Sequence, residues 1–186
     1  AASWSLSIPP TVREVVGCRL DRLSAECNRV LAIASVIGRE FSLNVLEQVA
    51  DLSRERLLEV VEEALAAPVI QEVASALGRY SFSHALIRET LYAELPTSRR
   101  RLHQQIGEAL ERVYGANLET HLAELAHHFF QAAPFGDVEK AIDYAVRAGK
   151  RAITLFAYEE AVGLYELALQ ALDLRESDDL QRCEVL

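Results

Sequence analysis

Residues 78–92, with the sequence GRYSFSHALIRETLY, decide how the first half of the chain is interpreted. Tyr80 and Phe82 alternate with polar residues, and this pattern predicts a short half-buried strand. Ser83 then offers a hydroxyl group as an N-cap, so a helix is predicted to begin at about His84. The apolar residues at helical spacing in this helix are Ile87, Leu91 and Leu95.

A histidine is therefore expected where a strand turns into the N-terminus of a helix. Such a place attracts anions, because unpaired backbone N–H groups and the helix dipole point towards it. The alternative for His84 is a local cap or a partly buried packing residue. The spacing alone leaves both interpretations open.

The residues around this stretch predict several helices and a small β-hairpin. Residues 1–9 are expected to form a linker, and residues 10–96 the first domain. The strands Val69–Val73 and Arg79–Phe82 are expected to flank a turn near Gly78, as in a winged helix-turn-helix. Helices are predicted over Thr11–Leu23, from Ser24 to Gly38, from Phe41 to Val49 and from Ser53 to Ala67.

From residue 97 to residue 186 the chain carries only helical signals. Gly115 and the segment from Pro134 to Gly136 are the expected breaks between helices. Helices are predicted from Thr97 or Ser98 to Tyr114, from about Leu118 to Ala132, from Asp137 to about Leu155, from Tyr158 to Leu174, and from about Asp178.

The last helices carry offsets similar to a tetratricopeptide repeat of about 34 residues. Gly149, Ala161 and Ala168 are expected to let two helices approach closely, with Tyr158 and Tyr165 filling the groove beside them. Ala171 is expected to lie outside the small positions of this pattern. The alternative is a generic helical hairpin with alanine at its crossing points.

The composition describes a folded, soluble chain. Of the 186 residues, 51% are hydrophobic and 25% charged, and no apolar run approaches the length of a membrane span. The chain has no methionine, so we expect it to be a piece of a longer protein. Three cysteines without CxxC spacing favour a reducing compartment, and the net charge of −9 argues against broad nucleic-acid binding.

Motifs for catalysis are not found in the sequence. Neither GxxxxGK[ST] nor GxGxxG occurs, so ATP hydrolysis by these residues alone is not expected, and no nucleophile elbow is present. His121, Glu124 and His128 have a spacing that metal ligands could use, but the set is not HExxH. The favoured interpretation is that these side chains flank a packed helix face, with no metal bound.

Two basic features of the sequence are candidates for nucleic-acid or phosphate binding. The predicted helix Ser53–Ala67 carries two arginines but four glutamates, and these carboxylates would be repelled by DNA phosphates. Arg99, Arg100 and Arg101 stand at a predicted helix start, where cations oppose the helix dipole. They could meet an acidic partner surface or a phosphate, or lie in a solvated turn.

Three segments resemble the winged-helix region of STAND-type signalling ATPases: Arg19–Ser24, Val36–Phe41 and Phe82–Glu89. The helical half is similar to the start of their superhelical sensor array. This family includes LuxR-type bacterial transcription activators and some nucleotide cyclases and protein kinases. The resemblance implies a mainly α fold: a winged helix-turn-helix with a small β-hairpin, followed by TPR-like helical repeats over 97–186.

The resemblance also implies a function. His84 corresponds to a histidine that contacts the phosphate of bound ADP and helps to hold the inactive state, with ATP or ADP and Mg held by an upstream ATPase core. An inducer or partner on the repeats would favour the ATP-bound open form. The implied chain is cytoplasmic, does not contact a membrane and is itself not an enzyme. The rival hypothesis is a DNA-binding winged-helix regulator with a helical dimerisation arm, and a third is a plain scaffold piece with no nucleotide role.

Overall fold

The computed structural model describes residues 17, 19–74, 76–95, 98–133 and 136–185, and of residues 116 and 175–185 it describes the backbone alone. The chain is mainly helical, with 74% of it in helices and a small three-stranded antiparallel sheet, as the sequence predicted in its coarser terms. It divides into two compact units, Ala1–Pro96 and Thr97–Leu186. We call them the N-terminal and C-terminal units.

The described residues of the N-terminal unit form helices and the sheet, and Gly17, Arg19 and Leu20 are helical ahead of them. In chain order the elements are helix α1 (Ala25–Ile37), strand β1 (Glu40–Ser42), helix α2 (Leu43–Val49), helix α3 (Arg54–Ala66), strand β2 (Ile70–Glu72), strand β3 (Arg79–Phe82) and helix α4 (Ala85–Ala93).

Strand β3 lies in the middle of the sheet, whose order is β1-β3-β2. Phe41 of β1 pairs with Tyr80, and Gln71 of β2 pairs with Ser81, both antiparallel. The predicted hairpin is therefore present with a third strand that the sequence did not predict. A helix was expected to begin at Phe41, and this was wrong: Phe41 and Ser42 belong to β1, and the helix begins two residues later, at Leu43.

Serine hydroxyls begin three helices of the N-terminal unit. The side chains of Ser24, Ser42 and Ser53 accept hydrogen bonds from the backbone N–H groups of the first turns of α1, α2 and α3. Ser24 also binds Glu63 of α3, through its N–H at 2.6 Å and its hydroxyl at 2.8 Å. The predicted caps Ser24 and Ser53 are confirmed, as is the end of α1 at Gly38. These bonds satisfy helix N–H groups that would otherwise have no partner.

The core of the N-terminal unit lies between the sheet and the helices. Phe41 stacks on Tyr80 with ring centroids 6.0 Å apart and packs against Phe82 at 5.6 Å. The largest fully buried side chains of this core are Phe41, Leu46, Leu57, Phe82, Ile87 and Leu91.

The C-terminal unit consists of helices that pack on their neighbours in sequence. They are α5 (Arg99–Tyr114), a 3-10 segment (Gly115–Thr120), α6 (Leu122–Ala132), α7 (Val138–Thr154) and α8 (Tyr158–Val185). The predicted break near Asp178 is wrong, because α8 continues through it. Residues 164–185 contain neither glycine nor proline, so nothing in this stretch interrupts the helix. The helix predicted from Leu118 begins instead at Leu122.

Two glycines let aromatic rings approach a helix backbone closely. A Cβ on Gly149 of α7 would lie 2.9 Å from Cζ of Tyr165 in α8, so only glycine fits this contact. A Cβ on Gly107 of α5 would lie 2.9 Å from Cζ of Phe129 in α6. The close approach at Gly149 was predicted, and the matching contact at Gly107 was not.

The small residues of α8 agree with the predicted pattern in part. Ala161 and Ala168 are buried, as expected, but Ala171 is buried as well. It was left out of the small positions wrongly, because it continues the same face at helical spacing. Tyr158 was expected to fill the groove, yet its side chain is largely exposed, and Tyr165 alone meets Gly149.

Several predictions fall outside the described residues. They are the linker 1–9, the helix start at residues 10–16, Cys18, the cap at Thr97, the break at Pro134 and the side chain of Cys183. The first helix was predicted to end at Leu23. It ends at Leu20 instead, and residues 21–22 form a turn.

Candidate functional site

The end of strand β3 is fixed on both sides by backbone hydrogen bonds. The N–H of Phe82 donates to the carbonyl of Arg39 at 3.1 Å, and the N–H of Ser83 donates to the carbonyl of Val69 at 3.0 Å. The Ser83 hydroxyl donates to the carbonyls of Pro68 at 2.8 Å and Val69 at 3.1 Å. The chain therefore leaves the sheet at residue 83 in one defined direction.

Helix α4 is held in place by its buried face and by an arginine. Ile87 and Leu91 are buried in the core. Arg88 Nε donates to the carbonyl of Ser35 in the last turn of α1 at 2.9 Å. Its guanidinium lies over the ring of Tyr92, 5.5 Å from the centroid. The start of α4 is thus positioned from two sides.

His84 lies between these two fixed elements. Its backbone is extended, with φ −140° and ψ 139°, and it is the N-cap residue of α4. The sequence predicted Ser83 in this role, and that was wrong because the Ser83 hydroxyl is bound to carbonyls at the start of β2. The imidazole of His84 is exposed and makes no capping hydrogen bond.

The electrostatic setting of His84 favours an anion. The first turn of α4 contains no acidic residue, whereas the first turns of α1 and α3 contain Glu26 and Glu55. The positive end of the helix dipole at α4 is therefore not offset by a carboxylate of its own first turn. An imidazole and the first N–H groups of a helix are groups that bind phosphate or carboxylate oxygens.

The histidines of the C-terminal unit lie against packed helix faces, which is the interpretation that the sequence favoured. His128 is buried and lies with its Nδ1 2.9 Å from Nδ1 of His103 in α5, so that one imidazole donates and the other accepts. His121 is stacked on Tyr114 with centroids 3.7 Å apart, and its Nδ1 lies 3.0 Å from Glu124 Oε2. Among the described residues no group of three His, Cys, Asp or Glu side chains is placed to hold a metal ion.

The arginines of α3 are engaged with carboxylates. Arg54 binds Glu47 at 2.6 Å, and Arg56 binds both Glu26 and Glu59. Opposite charges thus already surround the cations that a recognition helix would turn towards DNA. In the C-terminal unit, Arg99 begins α5 and is half-buried, whereas Arg100 and Arg101 are exposed.

Cys27 is a structural residue of the N-terminal core. Its thiol is buried between α1 and α3 and donates to the carbonyl of Val60 at 3.6 Å. Burial, with the nearby charge of Glu63, raises the pKa of the Cys27 thiol to about 12. A thiol that stays protonated at neutral pH is a poor nucleophile.

Comparisons with known proteins found no matching family model, no matching curated protein and no matching solved structure. The described residues contain no helix that is both long and apolar enough to cross a membrane. These comparisons therefore assign the chain to no family.

The candidate site is the His84 junction, and the sequence predicted its place between a strand and a helix. Two features of the C-terminal unit were not predicted. The His103–His128 contact joins residues 25 positions apart and has no local signal. The glycine-aromatic pair Gly107 and Phe129 had a signal, because a glycine inside an amphipathic helix often marks a close packing contact.

Proposed function

We propose that this chain is a non-catalytic coupling region of a STAND-type signalling ATPase. In this proposal the N-terminal unit is a winged helix-turn-helix that responds to the nucleotide state of an ATPase core in the same polypeptide. The C-terminal unit is a TPR-like region that binds an inducer or a partner protein. The whole protein would be a cytoplasmic regulator of transcription. The alternative is a protein in which this region regulates a nucleotide cyclase or protein kinase domain.

The order of elements in the N-terminal unit supports the winged helix. A winged helix places a short strand between its first two helices and pairs it with the hairpin that follows the third. Here β1 lies between α1 and α2, and it pairs with β3 of the hairpin that follows α3. Pairing between residues about 40 positions apart is not produced by local sequence and reflects this topology.

The two glycine-aromatic contacts support the helical repeats. Gly107 with Phe129 joins α5 to α6, and Gly149 with Tyr165 joins α7 to α8. A repeat protein stacks similar helix pairs so that each contacts its neighbours. Here the glycines lie 42 positions apart and the rings 36, against about 34 residues for a TPR repeat.

The single observation that carries the proposal is the exposed imidazole of His84 at the start of α4. A charge-assisted hydrogen bond from it to an ADP phosphate would contribute about 1.5–3 kcal/mol. If that bond exists only in the ADP-bound closed state, it biases the protein towards that state by the same amount. His84 would then act as a sensor of nucleotide state.

The experiment compares ADP release from the full-length protein and its His84→Ala variant. We expect release to be roughly 10- to 150-fold faster in the variant, with higher basal output. Glu89→Ala, an exposed change on the same helix, is the control and should leave the rate unchanged. The 186-residue chain should unfold at the same urea midpoint in all three forms and bind no ADP at micromolar concentration.

Equal ADP release rates combined with a lower unfolding midpoint for His84→Ala would show that His84 is a structural residue. The rival function, DNA binding, would instead be supported by a salt-dependent shift of duplex DNA. The ion pairs of Arg54 and Arg56 weigh against it.

A further inference from the structure

Helices α5 and α6 are joined by a contact between two buried imidazoles. His103 of α5 is 2% exposed and His128 of α6 is 1% exposed, and their Nδ1 atoms lie 2.9 Å apart. At this distance the contact is a hydrogen bond, so one Nδ1 carries a proton and the other accepts it. The two rings must therefore differ in their protonation at Nδ1 for the contact to form.

This hydrogen bond limits how many protons the pair can hold while the chain is folded. A cationic imidazole carries N–H groups at both ring nitrogens, whereas a neutral one carries a single N–H group. One ring of the pair can become cationic and still donate from Nδ1 to its neutral partner. A second cation would set two N–H donors and two positive charges against each other in a buried site, which is strongly unfavourable. The folded pair thus accepts at most one added proton.

The ionisable groups that face the pair from its own two helices add positive charge. The exposed His127 meets the rings of His103 and His128 edge-on, with centroids 5.7 and 5.5 Å away. Arg99 and Arg100 precede His103 by four and three positions, which places them on the same side of α5. These charges disfavour a second cation on the pair.

The carboxylates nearest the pair along the two helices are bound to other groups. Glu124 of α6 stands four positions before His128, and its Oε2 lies 3.0 Å from Nδ1 of His121. Helix α7 packs on α6 and contributes a further cation, Lys140, whose Nζ lies 2.7 Å from Oε2 of Glu111 in α5. Both carboxylates already have cationic or imidazole partners, so they do not offset a second cation on the pair.

The unfolded chain has no such limit on proton binding. Imidazoles of an unfolded chain titrate near about pH 6.5, so both rings are cationic well below that value. The unfolded state then binds at least one proton more than the folded state. Because stability rises with pH wherever the unfolded state binds more protons, this contact loses stability as the pH falls. A difference of one proton raises the opening constant about tenfold for each pH unit.

We propose that the His103–His128 pair is an acid-sensitive switch, which holds α5 on α6 near neutral pH and releases it as the pH falls below about 6. Opening would also separate Phe129 from Gly107, the close packing contact between the same two helices. The surface of the helical unit would then respond to acidification. This switch goes beyond the proposed function, since it needs neither a nucleotide nor a partner.

The experiment measures amide hydrogen exchange of the 186-residue chain at a series of values from about pH 7.5 to about pH 5, which span the titration of imidazole. Rates corrected for the intrinsic effect of pH give the opening constant of each amide. We expect the opening constants in α5 and α6 to rise about tenfold per pH unit below about pH 6. The amides of α3 are the internal control and should show no such slope.

The variants test whether the pair causes this slope. In His128→Asn the amide oxygen can accept from His103 Nδ1 whether that ring is neutral or cationic, so the slope should disappear. His103→Asn is the reciprocal variant, with the same expected result. His127→Gln is the matched control, because it removes an exposed imidazole beside the pair, and it should keep the wild-type opening constants within about twofold at each pH.

Nitrogen NMR of the imidazoles gives a second measurement, which needs no variant. Near neutral pH one Nδ1 of the pair should be protonated and the other not, and this difference should persist for as long as the unit stays closed. Four results would overturn the proposal: no slope in wild type, a slope that persists in both Asn variants, a slope that only His127→Gln removes, or a closed unit with both Nδ1 atoms protonated. The His84 experiment measures nucleotide release, so each test can fail without the other.

Discussion

The two units are built from contacts of different range. In the N-terminal unit the decisive bonds join residues far apart in sequence, such as Ser24 with Glu63 and Arg88 with Ser35. In the C-terminal unit each helix packs on the next one along the chain, and the same glycine-aromatic contact is used twice. The first unit is therefore held together by long-range contacts, whereas the second repeats one kind of contact between neighbouring helices.

This difference suggests where each unit is sensitive. The N-terminal unit should be destabilised by the loss of a capping or core group, because each of its elements depends on partners that are distant in sequence. An array of neighbouring helices fails at the close contacts within a pair, since its energy is a sum of neighbour terms. Three changes test the contrast, beginning with the largest expected effect.

Gly149→Leu should destabilise the C-terminal unit by about 1–3 kcal/mol, because its side chain would collide with the Tyr165 ring. Gly107→Leu should cost a similar amount through Phe129. Gly163→Leu is the matched control: it is exposed in α8 with open space around it, and replacing a helical glycine there should stabilise by about 0.5–1 kcal/mol. Urea unfolding followed by circular dichroism measures all three, and shifts of the same sign at Gly149 and Gly163 would contradict the repeat.

Ser24→Ala should destabilise the N-terminal unit by about 0.5–2 kcal/mol, since it removes the cap of α1 and one hydrogen bond to Glu63. Ser98→Ala is the counterpart in the C-terminal unit, where the serine stands at the N-cap of α5 without a capping hydrogen bond. We expect it to be near neutral. Hydrogen exchange of the α1 amides in Ser24→Ala and of the α5 amides in Ser98→Ala measures the two effects. Equal losses of protection in both helices would contradict the expected difference.

Alkaline pH should weaken the N-terminal unit through Cys27. The unfolded thiol loses its proton near its usual value of 9.0, whereas the folded thiol keeps it until about pH 12. The unfolded state then binds fewer protons than the folded state, so this contribution to stability is complete below pH 9.0 and is lost as the pH rises above it. Cys27→Ala should flatten the pH dependence of amide exchange in α1 and α3 over that range, and an unchanged slope would exclude the thiol.

The sequence predicted those features that depend on local chemistry. Ser24 and Ser53 begin helices and Gly38 ends one because each satisfies backbone groups within one turn. The position of His84 at the start of α4 was predicted because the spacing of apolar residues changes there. It is two residues at Tyr80 and Phe82 and becomes helical from Ile87 onward. These features need no knowledge of what lies elsewhere in the chain.

The features that were missed depend on distant partners. Strand β1 has three residues and becomes a strand only through β3, about 40 positions later. Ser83 fits the pattern of an N-cap, yet carbonyls at the start of β2 take its hydroxyl. Tyr158 could be assigned to a face only once α7 was in place. Tertiary contacts decided each of these positions.

The two helix pairs differ by six residues between glycine and ring: 22 positions separate Gly107 from Phe129, and 16 separate Gly149 from Tyr165. Seven residues (115–121) connect α5 to α6 and three (155–157) connect α7 to α8, so four of the six extra positions lie in the α5–α6 connection, which contains the 3-10 segment Gly115–Thr120. This connection is longer while the contact it joins stays the same. For protein engineering this makes the segment a natural insertion point, where a reporter or an epitope tag should be accepted without altering the helix register.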